Sequence, residues 1–547
     1  MQSPLTILRT LQELSQRPHA PFYTPGHKRG VGASAAFQEL LGAAALQADL
    51  PELPELDNLF APEGAIAAAE ALAAQTFGAE QTWFLVNGST SGIIAAILAT
   101  CGPGEKILVP RNLHQSVVSG LILSGADPVF VQPPYDPVTD LAYGLTAEAI
   151  AAALQTHPDV RAVLVLYPTY HGVCSDLGAI AALVHDQNLP LIVDEAHGAH
   201  FAFHPELPPS ALSCGADLVV QSTHKTLGAL TQAAMLHRRG DRVAPQRISR
   251  ALQLVQSTSP SYLLLASLEA ATVQMAEQGT ALMAQTLQLA QQARTQLSQL
   301  TPLSKGGRGD QTALSMPQSQ QTSQGRETQP LHQADSGNLQ SGQDSMAPSN
   351  PFTPLVKGGR GDQAPPLKIL IPPPTPQPGF AHLDRTRLTV LCDRLGNGFA
   401  LDEQLHEQLG VTAELPLERH LTFIISLGNT AADIEQLVQA FKILIQNAPP
   451  QQESKPYPLP PTPLPTLALS PRQACFAATQ RRSLPDAVDE ICAEIICPYP
   501  PGIPILMPGE VITAGAIAYL EQIQRLGGRI TGLSVQNTVQ VVASPAR

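Results

Sequence analysis

Lys225 stands in the stretch QSTHKTLGAL (221–230), directly behind two hydroxyls and an imidazole, Ser222, Thr223 and His224, where the apolar run ADLVV stops. An amine placed at the end of a buried strand is available to a ligand. Upstream, Asp194 closes the apolar run PLIVD, where a carboxylate needs a partner to stay charged. Further upstream, VNGSTSG sets Gly88, Ser89 and Thr90 at a strand-to-helix turn, so that free backbone N–H groups, hydroxyls and the positive helix end suit an anion such as phosphate. Each feature has a plain structural alternative: a capped helix, a buried ion pair, a surface lysine. Together they share one explanation that the alternatives lack. Pyridoxal phosphate needs an amine for its aldehyde, a cradle for its phosphate, and a carboxylate that keeps its pyridine nitrogen protonated as an electron sink. Lys225, the 88–90 turn and Asp194 supply one each. Lys225 is thereby the expected Schiff-base anchor, with Ser222 and His224 turned toward the phosphate.

Such residues need a scaffold that brings loop ends together. From about Gly64 to Leu236 helix and strand patterns alternate. AIAAAEALAAQTFG reads as a helix stopped by Gly78, TWFLV as a strand, and STSGIIAAILATCG as a helix with hydroxyls at its start and a glycine after its end. KILV, PVFV, AVLVLY, PLIVDE and DLVV are short β-branched runs without polar alternation, as strands buried on both faces of a parallel sheet require. The expected fold class is α/β, a large domain with a mainly parallel sheet flanked by helices. RTRLTVLCDRL and HLTFIISLG read as strands of a smaller C-terminal α/β unit, followed by helix signals around PDAVDEICAEII and AGAIAYLEQIQRLGG. The expected division is an N-terminal helical segment 1–20, a cofactor-binding major domain 21–297, an insertion 298–366, and a small domain 367–547 with a Pro-rich linker at 451–466.

Composition limits the remaining classes. The chain has 547 residues, 44% of them hydrophobic, and a formal net charge of -13. That is enough to bury a large core, and it lacks the basic face a nucleic-acid partner demands. The seven cysteines form no CxxC pair, which favours reduced thiols in a cytoplasm. No export signal and no apolar segment of membrane-spanning length is read from the sequence.

The motifs FYTPGHKRG, DLPELPELDNLF, VNGSTSG, RNLHQSVVSG, YPTYHGVCSDL, DEAHGAHFAFHP, STHK, STSPSYLLLASLE, LSPRQACFA and PYPPGIPILMPGE, in this order, resemble the bacterial ornithine/lysine/arginine decarboxylases. These are pyridoxal-phosphate enzymes of the aspartate-aminotransferase fold type, and the likeness is to the short form without an N-terminal wing domain. The resemblance runs from about residue 5 to 297 and again from about 367 to 535. It implies that Ser89, Thr90, Ser222 and His224 bind phosphate, that His114 stacks on the cofactor ring, and that Asp194 pairs with the pyridine nitrogen. It also implies that His197 lies near the cofactor's phenolic oxygen or the substrate carboxylate, and that Lys225 or His197 returns a proton to Cα. Thr258 or Ser259 would complete the phosphate site of a neighbouring subunit, which calls for a homodimer or higher homo-oligomer. Glu510, and more weakly Asp57, are the implied carboxylates for the distal cation of a basic amino acid.

Other readings compete with this one. DEAH (194–197) also occurs in ATP-driven helicases, but no GxxxxGK[ST] loop precedes it. HGAH spaces His197 and His200 as metal ligands without a third at a convincing spacing. An aminotransferase or another lyase of the same fold would use the same lysine, with Arg472 or Arg419 as the arginine for the α-carboxylate. The sequence does not choose among arginine, lysine and ornithine, because pocket depth separates them.

Between Ser304 and Asn350 the large aliphatics are three leucines and two methionines, and a near-repeat, TPLSKGGRGDQ (301–311) and TPLVKGGRGDQ (353–363), flanks the tract. Such a segment buries too little to offset its ordering entropy, and lengthening a loop costs only about 0.6 kcal/mol per doubling. Deletion of 305–362 with a short Gly/Ser bridge is therefore expected to leave melting temperature and activity nearly unchanged. Loss of soluble protein on deletion would make the segment part of the fold.

Overall fold

The computed structural model describes residues 5–300, 367–448, 465–499 and 502–543. Met1–Thr301 and Pro365–Arg547 form one compact unit. The expected insertion, with its near-repeats, and nearly all of the Pro-rich linker lie outside the described residues.

The centre is a seven-stranded sheet in the order Gln81–Leu85, Ala234–Arg238, Leu218–Gln221, Leu191–Asp194, Val160–Leu166, Lys106–Pro110, Asp127–Val131. The five strands from Leu218–Gln221 to Asp127–Val131 pair in parallel, and Ala234–Arg238 runs against both of its neighbours. Successive residues of these strands enter two different cores. Phe84, Leu108, Val163, Val193 and Val219 face one side, and Leu85, Val109, Leu164, Ile192 and Val220 the other. Burial on both faces is why these runs show no polar alternation. The helix Gly88–Thr100 lies directly on the second face because residue 92 is glycine: a Cβ there would come within 2.6 Å of Leu85 Cδ1 and 2.8 Å of Val220 Cγ1.

The helix Tyr262–Ser298 joins the parts of the molecule. Its first half contributes Leu265, Leu268 and Met275 to the core of the large sheet, and its last turns contribute Ala290, Ala293 and Leu297 to the core of the small domain. That domain is built on an antiparallel sheet in the order Lys368–Ile369, Arg387–Leu391, His420–Ile424, Leu415–Pro416. RTRLTVLCDRL and HLTFIISLG thus become adjacent strands. AGAIAYLEQIQRLGG forms the helix Ala514–Arg525, but PDAVDEICAEII does not form one. Only Pro485–Ala487 makes a 3-10 turn; Asp489 then adopts a φ of 66°, and Ile491, Cys492 and Ile496 enter β-bridges with Val511, Val541 and Leu506. Long-range backbone pairing there overrides a helical pattern that the local sequence favours.

The first helix, Thr6–Gln16, has no local side-chain cap. Its cap comes from Glu269 in the long helix. The fully buried carboxylate accepts from Thr6 N and Thr6 Oγ1 at 2.6 Å, Ile7 N at 3.0 Å and Leu8 N at 2.9 Å. Three of the helix's free N–H groups are satisfied by one anion at the positive helix end. Glu269→Gln, which replaces an acceptor by a donor on one side, is expected to destabilise the protein by about 1–3 kcal/mol. Chemical denaturation should show that loss, with faster amide exchange confined first to residues 5–10; unchanged exchange there would contradict the capping role.

Candidate active site

Four loops leave the sheet at the C-terminal ends of its parallel-running strands and converge, as expected for a ligand site on an open α/β sheet. Asp194 ends one strand and lies in register with Val220 on the next, so Asp194 and the segment from Ser222 to Lys225 emerge side by side. Residues Thr223–Thr226 form a single helical turn that carries Lys225 back over the strand end. Lys225 Nζ lies 3.0 Å from His197 Nε2. Ser222 Oγ is 2.7 Å from Ser89 Oγ, which ties the lysine loop to the first turn of Gly88–Thr100. His224 donates from Nδ1 to the Ala233 carbonyl at 2.9 Å. His114 is the N-cap of the helix Gln115–Ser124, accepting from Ser116 N at 3.2 Å. Tyr170 packs edge-on against His197 with ring centroids 5.1 Å apart.

The electrostatics follow from burial. Burial pulls the Lys225 amine below its ordinary pKa, partly offset by the Asp194 carboxylate. Burial raises Asp194, and the Lys225 charge opposes that shift. His197 is held well below its usual range by burial first and then by Lys225 and Arg387, and His114 is pushed down to about 4 by burial and Lys225. The imidazoles are therefore neutral at physiological pH. The His197–Lys225 contact is then a neutral ring nitrogen accepting from an amine or ammonium, an arrangement in which a proton can be passed.

These residues fit pyridoxal phosphate. An amine with a lowered pKa meets the need of an aldehyde. The two hydroxyls at the start of Gly88–Thr100 meet that of a phosphate, and the buried Asp194 that of a protonated ring nitrogen. The Thr223 hydroxyl and His197 Nδ1 are buried without a hydrogen-bond partner among the described residues, so the site has polar capacity left for a ligand.

Other expected residues sit elsewhere. Glu510, 1% exposed, accepts from Arg111 Nη2 at 3.2 Å and Met507 N at 2.8 Å, so its charge is neutralised inside the protein. Asp57 accepts from the backbone N–H groups of Asn58, Glu63, Gly64, Ile66 and Ala67 and so caps the helix Ala65–Phe77. Both carboxylates expected to hold a substrate's distal cation thus have intrachain partners. Thr258 and Ser259 are exposed, and Ser257 N of the same loop donates to Asn87 Oδ1 at 3.1 Å. Arg472 donates to the carbonyls of Ile122 and Leu123, and Arg419 pairs with Asp393 at 2.8 Å. His200 Nε2 lies 3.1 Å from Asp384 Oδ2. No metal-binding group of three or more His, Cys, Asp or Glu side chains occurs among the described residues.

Two charged groups were not legible in the sequence. Arg387, fully buried, donates from Nη2 to the His197 carbonyl at 3.3 Å and lies 3.8 Å from Asp384, and its charge acts on Lys225. Glu414 is exposed and precedes Leu415, which packs with Leu166 and Tyr170 beside Asp194 and His197; its charge acts on Lys225, His224 and Arg387. Neither belongs to a motif, and only the small domain's seating brings them to the site.

Residues 3–318 match the family described as Orn/Lys/Arg decarboxylase, major domain, and residues 461–540 its C-terminal domain. An arginine decarboxylase of Halalkalibacterium halodurans is 36% identical over 513 residues, covering 93% of this chain and 91% of that protein. One from Bacillus subtilis is 34% identical over 514 residues, with the same coverage of 93% and 91%. The fold is similar to that of the lysine decarboxylase of Francisella novicida, with a TM-score of 0.75 at 22% identity, over 98% of this chain and 81% of that one.

Because burial lowers the Lys225 pKa while Asp194 raises it, the two influences separate in an experiment. Reductive methylation of Lys225 by formaldehyde and cyanoborohydride, read by peptide mass spectrometry, is expected to reach half its maximal rate at a lower pH than an ordinary lysine. Asp194→Asn removes the group that favours the ammonium, so the midpoint should move further down. A midpoint that moves up would show that Asp194 does not act on the amine.

Proposed function

This chain belongs to the Orn/Lys/Arg decarboxylase family, and we propose that it is a pyridoxal-phosphate-dependent decarboxylase whose substrate is arginine. The observation that carries the reading is the Lys225 amine, 3.0 Å from neutral His197 and beside buried Asp194 at the strand ends. The choice of arginine over lysine and ornithine is supported by the relatives named arginine decarboxylase, which align over nine-tenths of their length.

Lys225 would hold the cofactor covalently, Ser89, Thr90, Ser222 and His224 its phosphate, Asp194 the proton on its pyridine nitrogen, and His114 one face of its ring. When bound, pyridoxal phosphate supplies the sink for the electron pair left on Cα as the bond to the carboxylate breaks. His224, with Nδ1–H engaged by Ala233, serves the phosphate through an Nε2 proton that the phosphate's own charge favours. Asp194 keeps its charge in a buried site only while paired to a cation, which is the condition the ring nitrogen meets. With its amine free, Lys225 Nζ and His197 Nε2, 3.0 Å apart, would pass a proton toward Cα. Glu414, exposed and acting on Lys225, would attract the distal guanidinium.

The rival aminotransferase reading needs an open arginine fork for the α-carboxylate. A fork stabilises that group as an anion, whereas decarboxylation must let it go as neutral carbon dioxide. Arg472 and Arg419 are engaged elsewhere; Arg387, fully buried, donates from Nη2 to the His197 carbonyl and keeps Nε and Nη1 without a hydrogen-bond partner among the described residues. What favours loss of the carboxylate is the likeness to the relatives named arginine decarboxylase.

The working unit is proposed to be a homodimer. Thr258 and Ser259 face solvent in the single chain, and the N-terminal arm presents Phe22, Val31 and Leu40 at 97%, 87% and 79% exposure, an apolar surface that a second copy would cover. A reducing cytoplasmic setting suits the cysteines, of which Cys101, Cys174, Cys392, Cys492 and Cys497 are buried and unpaired. The amine product would serve as a polyamine precursor.

Incubation of the purified protein with arginine, lysine and ornithine in turn, with identification of the amine formed, tests the reading; production of a keto acid instead would overturn it. Lys225→Ala should lose the visible absorbance of the bound cofactor. Asp194→Asn should slow turnover by about a hundredfold, the equivalent of roughly 3 kcal/mol of lost transition-state stabilisation. Glu414→Gln should raise KM several-fold with a smaller change in kcat, and an unchanged KM would remove Glu414 from the substrate site.

A further inference from the structure

Arg111 and His114 belong to one short stretch, Arg111–Asn112–Leu113–His114, at the end of the strand Lys106–Pro110. Both touch a segment almost 400 residues away in the chain. Arg111 Nη1 donates to the Pro504 carbonyl at 2.7 Å, and Nη2 to the Ile505 carbonyl at 2.9 Å and to Glu510 Oε2 at 3.2 Å. The same Glu510 oxygen accepts from Met507 N at 2.8 Å. Arg111 is 8% and Glu510 1% exposed. The planar fork thus bridges two carbonyls and a carboxylate at once, which a lysine cannot do. Four residues on from Arg111, Gln115 N donates to the Gly502 carbonyl at 3.1 Å.

Gly502 meets the far side of the His114 ring. A Cβ at residue 502, where φ is 92°, would stand 3.2 Å from His114 Cδ2 and 3.3 Å from Nε2. On its other side the ring's Nδ1 accepts from Ser116 N at 3.2 Å and lies 2.8 Å from Ser116 Oγ. The imidazole is therefore held between its own helix cap and a glycine of the C-terminal segment, whose seat on the sheet is the Arg111–Glu510 pair.

We infer that Arg111 and Glu510 form a buried latch whose task is to position His114: the latch seats residues 502–510 on the strand end so that Gly502 backs the imidazole at the cofactor site. They are positioning residues, and the C-terminal domain is on this view a wall of the active site. The part of the inference that concerns the cofactor rests on the proposed role of His114; the structural coupling of the two segments does not.

The test uses the full chain with three variants, Arg111→Met, Glu510→Gln and Gly502→Ala, the last of which leaves the charge pair intact. Hydrogen exchange of the cofactor-free protein, read by mass spectrometry, should speed up together in peptides covering 111–118 and 502–510 for the first two variants. Loosening of 502–510 alone would overturn the latch. Titration with pyridoxal phosphate, followed by absorbance, should give a dissociation constant weakened by about tenfold or more in Arg111→Met and Gly502→Ala, with Arg111→Lys intermediate. On a His114→Ala background Arg111→Met should add nothing, because two changes acting through one group are not additive. A full additive loss would show that Arg111 acts on the cofactor by another route, and the inference would fall. If His114→Ala alone leaves cofactor affinity unchanged, the assignment of His114 to the cofactor fails, while the exchange result still decides the latch.

Discussion

A primary amine held largely out of water is the constraint on which the rest of this structure depends. Lys225 emerges from strands buried on both faces, and its charge is tolerable only because Asp194 lies on the neighbouring strand end and His197 stands within hydrogen-bonding distance. Burial lowers the amine's pKa and raises that of the carboxylate. The same burial therefore makes the lysine a better nucleophile and leaves Asp194 dependent on a cation. Neither property would exist at the surface, where water would solvate both charges. The parallel sheet provides this environment because its loops all open at one end.

The interior around the site is not uniformly apolar, and its polar groups are directionally paired. Gln221, the residue before Ser222, donates to Glu195 Oε2 at 2.7 Å and lies 3.0 Å from His237 Nε2 through its carbonyl oxygen. His237 Nδ1 meets Thr82 Oγ1 at 2.7 Å. Since the Gln221 amide nitrogen is donating, its oxygen must accept, so His237 carries its proton on Nε2 and receives the Thr82 hydroxyl at Nδ1. Burial keeps this imidazole neutral, pushed down to about 3. The chain of bonds crosses four strands and fixes the backbone from which the lysine loop departs. On the other side, Asp384, Arg387 and His200 form a second buried group that ties the small domain to the loop carrying His197.

Much of the site was legible in the sequence because its parts are local. A lysine after a hydroxyl and an imidazole, a carboxylate at a strand end and a Gly-Ser-Thr turn each announce themselves within a few residues, and the strand pattern already implied that they share one edge of a sheet. The intrachain partners of Glu510 and Asp57 were not legible for the opposite reason. An isolated acid in a loop has the same appearance whether it binds a ligand, caps a helix or neutralises an arginine, and the choice depends on which donors the fold brings to it. Asp57 received the amides at the start of a helix, and Glu510 received Arg111. PDAVDEICAEII failed similarly, since its helical periodicity was outweighed by strand partners contributed from residues 506–541.

The sequence by itself determined the α/β class and the order of strands and helices in the large domain, because helix caps, glycine stops and buried β-branched runs act over a few residues; decarboxylation came from the resemblance of its motifs to a known family. Only the tertiary structure decided which distant groups act on one another: Glu414 and Arg387 on Lys225, Arg111 on Glu510, and Gly502 against His114. Those pairings span about 160 to 400 residues of chain, and Coulomb and hydrogen-bond energies are set by distances of a few ångströms that no local pattern encodes.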